Sequence, residues 1–309
     1  MKKLTMLLPA MIAVALPLQA SADVKWGGRL QVEFASTDDN TAAESGLQMG
    51  DTYYNGGNAS YLGATFSDGD AFGKINLNFN HYKGESSPGL RDLYIGTKVG
   101  PGKLMMGRFS TAYKTAGGVK YDPFVATGLQ ARGNGGQSGA GQNSYITAVG
   151  YSAKMAGVKV NVNYLPAMNS TAGVEADAQM SASVTYGFGG GEVFFATDDK
   201  ARGAHTGSKV GGKYAMGETS LRVQYEMADT DTDADILFVG AEHKLAGMTV
   251  GGWYGMSTTG TADAISSLAV GVKKSMGKKT SAYAGFKSEG AAGDGDAQTA
   301  LVVGMRTGF

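Results

Sequence analysis

Apolar and polar residues trade places at every second position through most of this chain, and that code limits the fold more than any other feature. Val24–Ala35 reads VKWGGRLQVEFA, with Trp26, Gly28, Leu30, Val32 and Phe34 on one face and Lys25, Arg29, Gln31 and Glu33 on the other. The same pattern returns in Lys74–Tyr82, Val158–Tyr164 and Thr219–Ala228. Successive side chains of a strand point to opposite sides of the sheet, so these segments read as half-buried strands. After the N-terminal segment there is no apolar run of 18 residues, and hence no candidate for a membrane-spanning helix.

The connections between these segments are short and long by turns. Ser67–Phe72, Gly100–Gly102, Ala153–Gly157, Gly187–Gly191, Ala215–Glu218, Ala246–Gly247 and Met276–Lys279 are tight. Ser36–Gly57, Lys83–Leu90, Ser110–Gln142, Leu165–Ala178, Thr197–Gly207, Asp229–Asp235, Ser257–Ala264 and Glu289–Asp296 are longer. The pattern predicts an all-β chain: a transmembrane antiparallel β-barrel of sixteen strands, with short periplasmic turns at one rim and long extracellular loops at the other. Lipid solvates no backbone polar group, so a sheet that crosses a bilayer must close on itself. Sixteen strands leave an aqueous channel, whereas about eight are filled by their own side chains. A soluble β-sandwich is the competing reading. Against it, Leu301, Val303, Met305, Thr307 and Phe309 line one face of the final segment.

Residues 1–22 carry the marks of a cleaved signal peptide: Lys2 and Lys3, an apolar stretch from Leu4 to Leu18, and Ala20-Ser21-Ala22 at the cleavage positions. Residues 23–309 would then form the barrel. Lys and Arg number 27 against 27 Asp and Glu, so losing Lys2 and Lys3 leaves a net charge of −2 and no long-range field for nucleic acid. The chain has no cysteine for a disulfide or a thiolate metal site. Its 49 glycines, about twice the usual ~7 % share, read as turn residues between strands. The Tyr and Phe residues suit aromatic girdles at the two interfaces.

No catalytic constellation stands out. His81, His205 and His243 accompany neither G-x-S-x-G nor H-E-x-x-H. Asp229, Asp231, Asp233 and Asp235 resemble the opening of a calcium loop, but Ala234 replaces the required glycine and Gly240 stands where a glutamate belongs. They read as a solvated external loop, with divalent bridging to lipopolysaccharide as a lesser option. Lys273, Lys274, Lys278 and Lys279 read as a solvated periplasmic rim. No metal and no cofactor are expected.

One stretch breaks the alternation. Ser110–Gln142 reads STAYKTAGGVKYDPFVATGLQARGNGGQSGAGQ with neither strand nor helix period. Irregular connections beyond about 12–15 residues are usually functional or disordered.

Three places carry a resemblance to the general porins of Gram-negative outer membranes, the trimeric sixteen-stranded type. Asp92–Tyr113 (DLYIGTKVGPGKLMMGRFSTAY) is similar to that family's strand, tight turn and strand ending in Gly-Arg. Asn143–Gly157 (NSYITAVGYSAKMAG) is similar to its next strand and short turn, and Phe309 resembles its terminal signal to the barrel-assembly machinery. The resemblance implies an outer-membrane channel for small hydrophilic solutes and ions, a homotrimer, and a third loop folded into the lumen as a constriction. Tyr113, Lys114, Lys120, Asp122 and Arg132 would lie on that loop, facing basic residues on the opposite wall. The loop charges sum to +2 where the family's are often acidic, which points to weak anion preference or none. The family tends to carry an arginine early in the second strand, where this chain has Tyr61.

Arg108 matches a constriction arginine but shares parity with Leu104 and Met106: either a bulge at Gly107 turns it into the lumen, which is the expectation, or it is an interfacial arginine that anchors or neighbours a subunit contact. Arg29 and Lys74 lie on polar strand faces and are expected to line the lumen. The alternatives are a substrate-specific porin, with an aromatic sugar track formed by Tyr113, Tyr121 and Phe124 or a dense charge array for phosphate, and a plugged structural or adhesive surface barrel.

Overall fold

The computed structural model describes residues 23–38, 46–52, 59–80, 87–131, 145–169, 175–176, 178–202, 205–229, 234–290 and 296–309. Residues 1–22, expected to be a signal peptide, and Arg132 lie outside them, as do His81, Asp231 and Asp233.

Sixteen strands follow one another around a single sheet. They are β1 (Asp23–Asp38), β2 in two pieces (Gly46–Gly50 and Ser60–Asp68), β3 (Ala71–Asn80), β4 (Ser87–Val99), β5 (Gly102–Ser110), β6 (Tyr145–Met155), β7 (Val158–Leu165) and β8 (Gln179–Phe188). The second half comprises β9 (Gly191–Arg202), β10 (His205–Met216), β11 (Thr219–Asp229), β12 (Ala234–Leu245), β13 (Met248–Thr259), β14 (Ile265–Ser275), β15 (Thr280–Glu289) and β16 (Gln298–Gly308). Every neighbour is antiparallel, and β16 pairs back onto β1 from Arg29↔Gly308 to Asp38↔Thr299, which closes the barrel.

Closure gives every strand two neighbours, as the lipid phase requires of its backbone. The alternation read from the sequence sorts cleanly: Leu30, Val32 and Phe34 are exposed on the outer wall, while Gln31, Glu33 and Ala35 are buried inside. At β2 the ladder is interrupted. Gly46–Gly50 pairs with Glu33–Thr37, and Tyr61–Ser67 with Asp23–Arg29. Buried Asp51 secures the excursion by accepting the Ala59 and Ser60 N–H groups at 2.8 and 2.9 Å.

Two expectations need correction. Thr197–Gly207 is mostly strand, since β9 runs to Arg202 and β10 starts at His205. Nor are the glycines mainly turn residues. Many lie within strands, where a neighbour's aromatic ring covers the bare backbone: a Cβ on Gly96 would meet Phe72 at 2.6 Å, one on Gly150 Phe109 at 2.8 Å, and one on Gly304 Tyr283 at 2.3 Å. Phe309 likewise lies over Gly28, and the two residues exchange backbone hydrogen bonds at the β1–β16 seam.

Candidate functional site

Past Ser110 the chain leaves the wall. Thr111 caps a single helical turn, α1 (Ala112–Thr115), by accepting the Lys114 N–H at 3.1 Å, and a 3₁₀ turn follows at Gly118–Lys120. A segment that leaves the ladder needs partners for its backbone polar groups. Inward side chains of the barrel supply them in sequence around the wall.

Ser181 Oγ accepts the Tyr113 N–H at 2.9 Å, and Gln224 Oε1 accepts the Gly118 N–H at 2.7 Å. Arg222 donates to the Tyr121 carbonyl at 3.1 Å, Lys273 to that of Pro123 at 2.7 Å, and Arg306 to that of Val125 at 3.3 Å. On β1, Gln31 donates to the Ala126 carbonyl at 2.7 Å, and Glu33 accepts the Gly128 N–H at 2.8 and 3.0 Å. Trp253 donates to the Leu129 carbonyl at 2.8 Å. The loop therefore follows the wall from β8 through β11, β14 and β16 to β1.

An apolar layer fills the space behind it. Tyr113, Tyr121, Phe124 and Leu129 are fully buried against Phe194, Phe238, Trp253 and Tyr283. Tyr121 meets Phe194 edge-on at 5.4 Å. Burying one such side chain contributes roughly 1.5–3 kcal/mol. This layer is the larger of two buried apolar clusters; the other gathers Phe109, Ile146 and Ala148 where β5 and β6 pair. Burial and the neighbouring Glu226 carboxylate push the Tyr113 phenol well above its ordinary range, so it remains a donor to Glu226 Oε1 at 2.6 Å.

These contacts place several expected pore residues away from the opening. Tyr113, Tyr121 and Phe124 are buried, so these three rings form no aromatic track along the channel. Asp122 clamps the loop to itself, its two oxygens accepting the Phe124 N–H at 2.8 Å and the Ala131 N–H at 2.9 Å. Lys114 is 6 % exposed, with its ammonium 3.8 Å from the centre of the Tyr145 ring. Among the described loop residues, Thr115, Val119, Lys120, Val125 and Ala126 are not buried, and Lys120 alone of these is charged. Partial desolvation within the lumen and the nearby Lys159 lower the Lys120 ammonium below the ordinary lysine range, with Glu192 opposing them.

The wall of β1, β2 and β4 carries a row of cations spaced by aromatic rings. Arg29 donates to the Ala59 carbonyl at 2.6 Å and lies 5.4 Å from the Tyr61 ring. The Arg91 guanidinium stands 5.6 Å from the same ring and 5.7 Å from the Tyr145 ring. Such contacts hold guanidinium groups in place without neutralising them. Arg306 is close enough to Arg29 for their charges to interact. Lys74 lines the same wall but is paired with Asp92 at 2.9 Å.

Arg91 is the residue that parity misses. The β3–β4 register steps from Asn76↔Asp92 to Leu77↔Leu90, leaving Arg91 as the extra residue of a bulge. Leu90 and Leu93 both face outward, so the bulge turns Arg91 inward beside Asp92. The sequence holds the signal: in Leu90-Arg91-Asp92-Leu93-Tyr94-Ile95 the apolar spacing is three and then two.

Arg108 is the converse and corrects the lumen assignment. Register is unbroken through Gly107, and Arg108 pairs with outward-facing Leu93. Its side chain donates to the Leu90 carbonyl at 3.2 Å and the Tyr145 carbonyl at 3.3 Å, bridging β4 and β6 across the end of β5 where the loop departs. Lys273 is also not a solvated rim residue; it holds the loop through Pro123 and pairs with Glu242 at 2.5 Å.

A family model described as Gram-negative porin matches residues 7–294. Among solved structures, the chain is similar to an anion-selective porin from Comamonas acidovorans, with a TM-score of 0.71 at 18 % identity, covering 94 % of this chain and 100 % of that one. It is similar to OmpF of Salmonella typhi in complex with daunomycin, with a TM-score of 0.73 at 15 % identity over 94 % and 99 %. The trimer form of OmpT from Vibrio cholerae gives 0.68 at 17 % identity over 94 % and 100 %. No curated protein matches by sequence.

Proposed function

This chain belongs to the Gram-negative porin family, and we propose that its channel is narrowest between Lys120 on the inserted loop and the Arg29–Tyr61–Arg91 row on the facing wall. The protein is an outer-membrane channel for passive diffusion, and its family and fold are those of channels rather than enzymes. Small hydrophilic solutes and ions pass it with a weak preference for anions.

One observation carries that preference. Cations face the opening from both sides, while the carboxylates nearby are engaged: Asp122 within the loop, Glu33 with the loop backbone and Asp92 with Lys74. Charged groups lining a pore bias which ions enter. Likeness to a porin named as anion-selective supports the same sign, and likeness to a trimer form supports a homotrimer. Export through a signal in residues 1–22, assembly through the Phe309 strand, and contact with lipopolysaccharide belong to the same reading, which needs no cofactor.

Reconstitution in a planar bilayer under a potassium chloride gradient tests it. Stepwise conductance with a zero-current potential displaced toward chloride is expected. Absence of steps would indicate a plugged structural barrel and overturn the channel reading; displacement toward potassium would overturn the assigned preference.

A further inference from the structure

We infer a second anion site, at the short-turn rim of the lumen and suited to multivalent anions; it rests on the reading of the barrel as a conducting pore. Lys98 stands directly opposite Lys103 on the β4–β5 hairpin, and Lys154 directly opposite Lys159 on β6–β7. Val99, Met106, Met155 and Val160 are exposed on the outer wall, so strand alternation turns the four lysines toward the lumen. β5 and β6 are neighbours with Lys103 opposite Ser152, which sets the two lysine pairs diagonally on four consecutive strands.

Like charges placed directly opposite on a sheet destabilise it, their Cβ atoms being about 4.5–5.5 Å apart. Two such pairs side by side make a standing repulsion that a bound anion relieves. Among the described residues Asp70 pairs with Lys98 at 3.1 Å, and no ion pair engages Lys103, Lys154 or Lys159. Next to the lysines lie neutral polar groups: Ser152 Oγ donates to Asn161 Oδ1 at 2.7 Å, and Asn161 Nδ2 donates to Ser183 Oγ at 3.0 Å. The patch thus offers ammonium, hydroxyl and amide groups on one curved wall.

An ion such as chloride neutralises one ammonium at a time. A phosphate or carboxylate compound with two or more charges bridges ammonium groups that otherwise repel, and so gains more than a monovalent ion of equal concentration. Lys159 also interacts with Lys120, which links this patch to the constriction above it. The site therefore takes multivalent anions on the short-turn side, which the reading above places toward the periplasm.

Single-channel recording of the whole barrel in about 0.1 M chloride, where charges are screened beyond roughly 10 Å, tests the site. Pyrophosphate and citrate are added to one side and then the other. A Gly277→Cys variant, in a chain otherwise free of cysteine, reports by maleimide labelling which side carries the short turns. Block at a roughly tenfold lower concentration from that side is expected, the effect of about 1.4 kcal/mol. The double variant Lys103→Gln, Lys154→Gln should abolish the asymmetry while stepwise chloride conductance persists. Equal block from both sides, or asymmetry that survives the double variant, would overturn this site alone. Absence of conductance steps before any multivalent anion is added would overturn the channel reading and this site with it.

Discussion

Arg91 donates its Nε proton to the hydroxyl of Tyr145 at 2.6 Å, across strands 54 residues apart in sequence. The bond fixes a guanidinium that β-bulge geometry has already turned into the lumen, and it sets the position of the charge as well as its sign. Replacing Arg91 by Gln should lower the chloride-to-potassium permeability ratio roughly fivefold, since one charge about 8 Å away in a water-like dielectric changes each ion's passage roughly twofold and in opposite directions. Tyr145→Phe keeps the ring and the charge but removes the acceptor, so a smaller shift is expected. Zero-current potentials measure both. An Arg91→Gln barrel with the parent's ratio would remove Arg91 from the ion path.

Lys120 gives the channel a pH dependence of known sign. Desolvation in the lumen and Lys159 lower its affinity for a proton, so its charge is lost on raising the pH before ordinary lysines titrate. Anion preference should therefore fall in that interval. Lys120→Arg should keep the preference through it, since a guanidinium stays protonated. Lys120→Gln should start from the lower value and show no such step. Permeability ratios recorded across alkaline pH in all three forms decide the matter.

The inserted loop is held by packing as much as by hydrogen bonds. Phe124→Ala empties a fully buried aromatic site and should cost the docked loop about 3–5 kcal/mol. The strand ladders do not involve Phe124, so the barrel should still form. Larger or noisier single-channel conductance is expected, together with entry of larger uncharged polymers. Tyr113→Phe, which removes the hydrogen bond to Glu226, should act in the same direction by roughly 1.5–3 kcal/mol, the range for a bond to a charged group.

Glycines beneath aromatic rings or against a facing strand should be intolerant in proportion to the space they lack. On Gly285 a Cβ would meet the Val270 carbonyl oxygen at 2.4 Å and Leu129 of the loop at 2.6 Å. Gly285→Ala should destabilise by roughly 1–3 kcal/mol, as overpacking does. Gly187→Ala, where the nearest atom is 3.7 Å away, should be nearly neutral. Urea unfolding in lipid vesicles compares the two.

The barrel was legible because one period-two code runs through every strand and depends on nothing distant. Arg29 and Lys74 were found by that code. Arg108 was misassigned: its parity with Leu104 and Met106 pointed outward, but the family likeness and an expected bulge at Gly107 drew it toward the lumen. Arg91 escaped because a bulge is a property of two strands in register, and one strand read alone shows only uneven apolar spacing. The loop's charges were legible as a sum but not as a direction. Whether Lys114 or Lys120 meets the channel depends on which loop face packs on Phe194, Phe238 and Trp253, and those residues lie on strands far along the chain. Lys273 failed for the same reason, its partners being Pro123 and Glu242.

The bulge at Arg91 also bears on how this channel can diverge. Removing a single residue beside it, such as Leu90, would restore even pairing with β3 and swing Arg91 to the lipid side, with no side chain exchanged anywhere. Ion preference in such barrels can thus be gained or lost through strand length alone. Two descendants could keep every charged residue in the same order and still differ in the ions they admit, a divergence that counting substitutions would miss.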